Sequence, residues 1–532
     1  MSQPLDHAYG APSLRVKGFD GHTKLFIFMI KAAIRAWKAN RPSVDKVRPP
    51  QLEGPLPLVE LPFGTASDPV RLPTIDEDWP PADFKRKAML WLLRNGVLFP
   101  VRDYADSWVN AEEARDTYQE ILPLGSFMAR PYHSWTEMTS DAAMSRIGFA
   151  GLGALRMLPP GVLPAGTEVE PGTAWVSDLS YLGAYEVREG FERYGARACF
   201  DAEQRPIAIY WCHAGVWVRP GDAAWAHAKW VWRCSLLVGT TVTDHLVGCH
   251  WLIANYVSTA SRQTLSATHP LRLLLKPFTW RTITINYGAS DTLCPERGFV
   301  HRGSALTADA LTRAFRDSVG LIQFHTVREL VERKGARDMG DRFPWATDAL
   351  ALFEVIHTFV EDYLGRYFTP ESLDADVQVH AFWNHLVTAP ASVRFPARTH
   401  QGVTEVLAQF IWSVTGLHEA VGTVHEYVLN PTFMGTKIRP GTEMADVQTS
   451  IQGLLVMALT GLEMPALLAL GDAAGIYGVD DRGREAFQRF HDNLVALAAQ
   501  IDAANARRLA DPERPWPCNT FNPNVLETGV SI

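Results

Sequence analysis

The chain has 532 residues, of which 47% are hydrophobic and 11% aromatic, so it can bury a large core. That length is typical of roughly two to four domains. The net charge of −8 argues against a nucleic-acid-binding protein, which would need a clustered basic face.

The six cysteines do not form a C-x-x-C pair, which argues against a zinc site and a disulfide framework. We expect buried thiols in a reducing compartment and therefore a cytoplasmic location. The sequence has no run of about 18 apolar residues, so no transmembrane helix is predicted. The apolar run Leu25–Ile30 is short and is not followed by a small-residue cleavage site, so no signal peptide is predicted.

Residues 1–82 are predicted to form a helix followed by a proline-rich strap. Lys24–Lys38 combines apolar and basic residues at helical spacing. Two interpretations stay open for this helix: an interfacial helix in peripheral contact with a membrane, or a helix packed on the body of the protein. Residues 41–82 are rich in proline and are predicted to be extended, without a core of their own.

From Asp83 onward the pattern is that of a globular protein. Helical periodicity predicts helices at 88–94, 112–121, 141–158, 347–368, 403–427, 461–470 and 484–508. Short strands are predicted at 174–179, 196–200 and 206–211, the last two flanking a turn at 201–205. Long helices that contain histidine, a small β patch and an apolar interior predict a mainly α protein with a buried metal.

Two histidines, His245 and His250, lie five residues apart in an apolar helical stretch. In an ideal α-helix, residues i and i+5 point about 140° apart and could not share a metal ion. A local π-turn, with its i→i+5 hydrogen bond, would bring both onto one face, and such bulges tend to mark functional sites. The pair is therefore either two unrelated histidines or a metal site on a bulged helix.

In the order of their motifs, these residues resemble the lipoxygenases. Trp225 and Ala228-Lys229 precede His245 as in that family's approach to its first iron ligand, and His250 falls where the second ligand falls. The further matches, in chain order, are Tyr256-Val257, Arg262-Gln263, His269-Pro270, Leu274, Pro277, Ile285-Asn286, Phe410-Ile411-Trp412, His418, Ala486-Phe487, Arg489-Phe490 and the ending Gly529-Val530-Ser531-Ile532. Each match alone is weak, but the ordered set is specific.

The resemblance covers 83–532 and implies one large helical catalytic domain of the bacterial type, without an N-terminal β-barrel domain. It implies a non-haem iron site on two long central helices, with manganese as the alternative metal. The implied ligands are His245, His250, His418 and the main-chain carboxylate of Ile532. The implied catalytic group is a water or hydroxide on that metal, which takes a hydrogen atom from the substrate before O₂ adds and a hydroperoxide forms.

Three positions depart from the family pattern. Gly422 lies four residues after His418, where the family usually has Asn, His or Ser as a further ligand, and glycine offers no side chain. His425 replaces a glutamine that lies behind the ligands, and on a straight helix it is about 10 Å further along the axis than His418. We expect His425 to support the ligands or face the substrate, with direct ligation as the alternative. Thr240-Thr241 replaces a His-Gln pair, so the hydrogen bonds around the metal would change.

The resemblance also assigns a substrate pocket. Ala289 falls at the small residue that steers oxygen, and Leu293 and Val300 fall at apolar positions that flank the reacting carbon and the oxygen path. For all three, plain core packing is the alternative.

The implied function is a dioxygenase that acts on a polyunsaturated fatty acid or a similar apolar polyene. One alternative is a repurposed homologue that converts hydroperoxides or oxygenates another apolar metabolite. The other is a non-catalytic lipid-binding protein, which would have no need of three histidines and a terminal isoleucine. The expected partners are an apolar substrate and O₂ but no nucleic acid, and the expected state is a monomer or a small homo-oligomer.

Overall fold

The computed structural model describes residues 58–65, 68–73, 139–279, 282–283, 285–286, 289, 293–294, 298–390, 393–423, 435–445, 467–469 and 479–530, with only the backbone of 58–65 and 68–73. The helices predicted at 24–38, 88–94 and 112–121, and most of that at 461–470, lie outside these ranges. The division of the chain at residue 82 stays a prediction.

The described part is mainly α with a small β-sheet, as the sequence predicted. Its α-helices are α1 Asp141–Phe149, α2 Trp225–Gly239, α3 Asn255–Thr264, α4 Pro270–Leu275, α5 Phe299–Gly303, α6 Ala308–Leu321, α7 Val327–Arg333, α8 Pro344–Tyr367, α9 Pro370–Ala375, α10 Val377–Leu386, α11 His400–Trp412 and α12 Asp481–Ala510. Its strands are β1 Leu58–Thr65, β2 Asp68–Pro73, β3 Met157–Leu158, β4 Trp175–Asp178, β5 Ala196–Phe200, β6 Pro206–Trp211 and β7 Val216–Val218. Within these ranges, no helix has the length and hydropathy needed to cross a membrane.

The sheet is antiparallel, with the strands in chain order from β3 to β7. All three predicted strands are present, and Val176 pairs with Cys199 while Ala198 pairs with Ile209. The predicted turn is closed by the Arg205 backbone N–H, which donates to Asp201 Oδ1. Helix α2 packs against β5 and β6, so the sheet supports the first of the two central helices.

Two predicted segments have a different structure. The predicted strap contains a β1–β2 hairpin, in which Leu58 pairs with Pro73. Its register shifts between Glu60 and Gly64, and Pro62 lies in that irregular stretch, where a missing backbone donor is tolerated.

The helix predicted at 141–158 ends early, at Phe149. The chain then forms a 3₁₀ turn, Leu152–Arg156, and strand β3. Gly151 is extended at the start of the turn. A Cβ atom on Gly153 would lie 3.0 Å from the carbonyl oxygen of Ile147, so the chain turns back tightly against α1. Helical periodicity could not reveal this break, because the residues on both sides of it are apolar.

The long helices α8, α11 and α12 form the core beside the sheet, and α8 packs against both of the others. Phe359 of α8 stacks on Phe490 of α12, with ring centroids 4.2 Å apart. The buried Arg508 guanidinium forms a bidentate ion pair with Asp348, at 2.7 and 2.9 Å. These contacts fix α12 against α8, which in turn supports α11, the second central helix.

Candidate metal centre

Helix α2 continues without a break into a π-helix, Thr240–Ala254, and then into α3. The π-helical hydrogen bonding is visible at its end, where the Asn255 N–H donates to the carbonyl oxygen of His250. The Thr241 hydroxyl donates to the Leu237 carbonyl at 2.8 Å, at the junction with α2. The wider winding brings His245 and His250 onto one face, so the predicted bulge is present, while the metal site itself stays a prediction.

Helix α11 also continues as π-helical segments, Ser413–Leu417 and Glu419–Thr423, with His418 between them. The Cys249 thiol donates to the carbonyl oxygen of Ser413 at 3.0 Å and joins the two π-helical regions. Burial raises the pKa of this thiol well above its usual range, so it stays protonated and serves as a donor. The two central helices therefore contact each other where they carry the histidines.

The three histidines converge on one point through their Nε2 atoms. The Nε2 of His250 lies 2.9 Å from that of His245 and 3.2 Å from that of His418, and the remaining pair is 3.3 Å apart. The residues are 7%, 0% and 1% exposed for His245, His250 and His418, so bulk water has little access to the rings.

This arrangement fits a metal ion. Metal–imidazole bonds of about 2.1 Å separate neighbouring nitrogen ligands by about 3 Å, close to the spacing of these Nε2 atoms. Without a metal ion, three uncharged imidazole rings buried at one point would place their nitrogen lone pairs against each other. Imidazole ligands suit iron as well as zinc, copper and nickel. Among the described residues, the ligand atoms of these three histidines lie within 4.8 Å of one another, close enough to hold one metal ion.

Asn286 fixes the orientation of His250. Its Oδ1 lies 2.7 Å from Nδ1 of His250, and its Nδ2 donates to the His250 carbonyl at 3.0 Å. Because an amide oxygen only accepts, Nδ1 carries the ring proton and the Nε2 lone pair faces the other two histidines. The sequence matched Asn286 to the family pattern but gave it no role, and its spacing alone could not reveal this contact.

Gly422 is packed against the metal centre. A Cβ atom at this position would lie 2.5 Å from Nε2 and 2.7 Å from Cδ2 of His245. The imidazole ring therefore occupies the space that a side chain at position 422 would need. The predicted loss of a ligand at this position agrees with the geometry, because the His245 ring leaves no room for a side chain there.

The other predicted site residues fall into two groups. Ile532 and His425 lie outside the described residues, so their roles as ligand and supporting residue stay predictions. Ala289 and Val300 are buried and Leu293 is half-buried. The Leu293 N–H donates to the Ala289 carbonyl at 2.8 Å, and the Val300 N–H to the Leu293 carbonyl at 3.0 Å. These bonds join the three in one folded segment that follows Asn286.

An ion pair beside His245 was not predicted. Asp244 accepts hydrogen bonds from Arg156, from Nε at 2.9 Å and from Nη2 at 2.5 Å. Burial would lower the pKa of Arg156, but the facing Asp244 carboxylate outweighs it and the pKa lies above its ordinary value. The pair joins the π-helix to the turn that precedes β3. Because 88 residues separate the two partners, no local pattern could reveal it.

The chain is mainly helical and brings three buried histidines together from two π-helical regions. Comparison with protein families matches residues 218–435 to the lipoxygenase model. This part of the chain, which carries all three histidines, is therefore similar to the lipoxygenase family.

Individual relatives and solved structures show the same similarity. The chain is 24% identical to a putative lipoxygenase of Oryza sativa subsp. japonica, over 64% of this chain and 44% of that protein. It is 26% identical to a linoleate 9/13-lipoxygenase of Pseudomonas aeruginosa, over 58% of this chain and 45% of that protein. The fold is similar to that of a calcium-dependent 11R-lipoxygenase, with a TM-score of 0.72, 17% identity and coverage of 93% of this chain and 80% of the other.

A second structural neighbour is a lipoxygenase variant solved anaerobically in complex with arachidonate. It has a TM-score of 0.68 and 16% identity, and the match covers 84% of this chain and 74% of that one. The chain spans about half the length of the curated relatives that it matches.

Proposed function

We propose that this protein is a non-haem iron dioxygenase that adds O₂ to a polyunsaturated fatty acid, or a similar apolar polyene, and forms a hydroperoxide. The observation that carries the proposal is the convergence of three buried Nε2 atoms within 2.9–3.3 Å of one another in a chain similar to the lipoxygenases. Two relatives support the substrate class: one is a linoleate 9/13-lipoxygenase of Pseudomonas aeruginosa and the other a polyunsaturated fatty acid lipoxygenase of Bos taurus.

His245, His250 and His418 would hold the metal, with the carboxylate of Ile532 as the fourth ligand. When bound, iron (or manganese) supplies the one-electron chemistry that breaks a C–H bond of a doubly allylic CH₂ group. The protein's own residues keep the imidazoles aimed at one point, because Asn286 holds the ring proton of His250 at Nδ1. Side chains positioned in this way need little reorganisation during the reaction.

The same residues keep water away from the reacting chain. The rings of His250 and His418 are almost fully buried, and Leu246, Val247 and Trp251 beside them are buried and apolar. We propose that Ala289, Leu293 and Val300 complete an apolar slot, which suits a substrate with few hydrogen-bonding groups. A chain held in this slot would offer one carbon to O₂, since position and orientation decide which carbon reacts.

Two measurements test the proposal. Metal analysis of the purified protein is expected to give about one iron or manganese ion per chain, and His250→Ala should lose it. Incubation with linoleate and arachidonate should then produce conjugated-diene absorbance together with oxygen uptake in air, but no oxygen-dependent product under anaerobic conditions. A metal-free protein that retains full turnover would overturn the proposed chemistry.

Gly422 favours one alternative, a repurposed member of the family. A centre that lacks a ligand at this position keeps fewer protein donors around its metal, and this changes the properties of the metal. Such a protein would convert a fatty-acid hydroperoxide or oxygenate another apolar metabolite. If the metal-loaded protein is inactive on every fatty acid tested but consumes their hydroperoxides, the alternative replaces dioxygenation.

A further inference from the structure

A cavity of about 280 Å³ lies between the π-helix Thr240–Ala254 and the segment 321–334. Its apolar wall consists of half-buried side chains: Leu155, Leu158, Leu163, Ile253, Ile322 and Leu330. These side chains line a concave apolar space, the kind of surface that binds small molecules.

The cavity is separate from the metal centre but adjoins it. None of the three histidines lines it, and neither do Ala289, Leu293 or Val300. Asp244 and Leu417 do line it, and each is the chain neighbour of a predicted ligand. A molecule in this cavity would therefore contact both central helices without entering the space between the imidazoles.

The acidic groups of the cavity are already paired. Asp244 forms its bidentate ion pair with Arg156. Asp178 accepts a hydrogen bond from Nε of Arg197 at 3.1 Å. The carboxylates therefore leave no net negative charge to attract a cationic ligand.

The basic groups differ from one another in the charge that they offer. Lys334 donates to the carbonyl oxygens of Ala154, Leu155 and Met157 at 3.0, 2.8 and 2.8 Å, which uses all three of its protons. Burial lowers the pKa of Lys334 to about 7, and its three hydrogen bonds leave no free N–H for a ligand.

Arg333 is the remaining cation of the cavity. It lies on the exposed side, where His325 and Gln323 also line the wall. In the described part of the chain, no carboxylate lies within ion-pair distance of its guanidinium group. Burial lowers the pKa of His325, so that imidazole is neutral at pH 7 and does not add to the charge.

We propose that this cavity binds a single-chain amphiphile with an anionic head group, separately from the metal centre. The head group would lie on Arg333, whose planar guanidinium group matches a carboxylate, and the alkyl chain would lie against the apolar wall. A cavity of about 280 Å³ is slightly smaller than most ligand sites, which have volumes of roughly 300–1,000 Å³, so its size favours a chain of medium length.

Decanoate is the probe, because it has no double bond and cannot be oxygenated at a doubly allylic carbon. Its binding to the full-length protein is measured by isothermal titration calorimetry at pH 7.5, together with decanol and acetate. Decanoate should bind at least tenfold more tightly than either, since decanol lacks the charge and acetate lacks the chain. It should also raise the midpoint of thermal unfolding, because a ligand of the folded state stabilises that state. Equal binding of decanol would overturn the anionic head-group assignment.

Arg333→Glu should weaken decanoate binding at least tenfold, because it puts a carboxylate beside the head group. Arg337→Glu is the matched control: Arg337 is exposed, lies four residues further along the chain and does not line the cavity.

Leu163→Trp, at a half-buried position on the cavity wall, should fill the space and abolish binding while the midpoint of thermal unfolding stays within a few degrees. Unchanged decanoate affinity in Arg333→Glu, or in a folded Leu163→Trp protein, would assign the ligand to another site and overturn the proposal. Neither readout depends on metal or turnover, so failure here is distinguishable from failure of the dioxygenase proposal.

Discussion

A Cβ atom on Gly422 would come within 2.5 Å of Nε2 of His245, the atom that faces the metal site. The contact joins His245 and Gly422, which support different conclusions about the metal site. The histidine predicts a lipoxygenase-like metal centre, and the glycine removes one of that family's usual ligands. In three dimensions they are compatible, because the ring of His245 lies in the space that a side chain at position 422 would occupy.

Gly422→Ala is therefore expected to displace the His245 ring and lower the metal content of the purified protein at least tenfold. Gly422→Asn, which introduces a side chain found at this position in the family, should do the same, because its Cβ meets the ring before its amide can reach a metal. Metal per chain is measured by elemental analysis, with circular dichroism to establish folding.

Gly365→Ala is the matched control for these substitutions. Gly365 is exposed in α8, and a Cβ atom there would meet nothing within 4 Å. Alanine is also the better helix former, so metal content should be unchanged and stability slightly increased. A Gly422→Asn protein that binds more metal than the wild type would show that the ring can move aside and that the position is open to a ligand.

Asn286→Ala should lower metal affinity about 10–100-fold, the usual cost of removing a residue that orients a histidine ligand. The loss would follow from the tautomer of His250, since Nδ1 no longer has the acceptor that holds its proton there. Asn286→Asp is the comparison, because it keeps an acceptor for Nδ1 and loses only the donor to the His250 carbonyl. Metal affinity is measured by competition with a chelator, and equal affinities of Asn286→Ala and wild type would contradict the orienting role.

The bulge that carries His245 and His250 could be predicted because the two histidines have an unusual local spacing. Two histidines five residues apart on an apolar helix require a π-turn before they can share a metal, and the structure contains a π-helix at Thr240–Ala254. The predicted helix at 347–368 also agrees closely with α8, because the apolar residues that recur at helical spacing are the ones that are buried.

The contacts between distant segments could not be predicted in the same way. The Arg156–Asp244 pair and the His250–Asn286 hydrogen bond depend on how separate elements pack, and neither leaves a periodic signal. The break after Phe149 was missed because a helical pattern continues through a turn in which Gly153 packs against the carbonyl of Ile147. The charge of the cavity beside the π-helix Thr240–Ala254 could be assigned only once the partners of its acidic residues were known.

Extending the chain beyond Ile532 should lower metal content and activity together. The extension converts the terminal carboxylate into an amide, which is a weaker ligand and carries no charge. Ile532→Val, which keeps the carboxylate, is the matched variant and should retain the metal. Full metal content in a protein with added residues after Ile532 would show that the main-chain carboxylate is not a ligand.

The first turn of α2 gives a pH-dependent prediction, at His227. Its Nε2 lies 3.0 Å from Glu192 Oε2, and its Nδ1 lies 3.5 Å from Glu443 Oε1. The hydrogen bond to Glu192 raises the pKa of His227, against the opposing effect of burial. Since an unfolded histidine has a pKa of about 6.5, the charged pair stabilises the folded state fully below that pH. The contribution declines as the pH rises through the raised pKa of the folded state.

His227→Gln should therefore lower the free energy of unfolding more at pH 6 than at pH 9. A hydrogen bond to a charged partner is worth about 1.5–3 kcal/mol, which sets the scale of the loss at pH 6. Glu192→Gln should remove most of the same pH dependence, because the raised pKa comes mainly from that carboxylate. Denaturant unfolding of wild type and both variants at the two pH values measures the effect. An equal loss for His227→Gln at pH 6 and pH 9 would mean that His227 packs as a neutral ring, and that Glu192 does not hold it in the charged form.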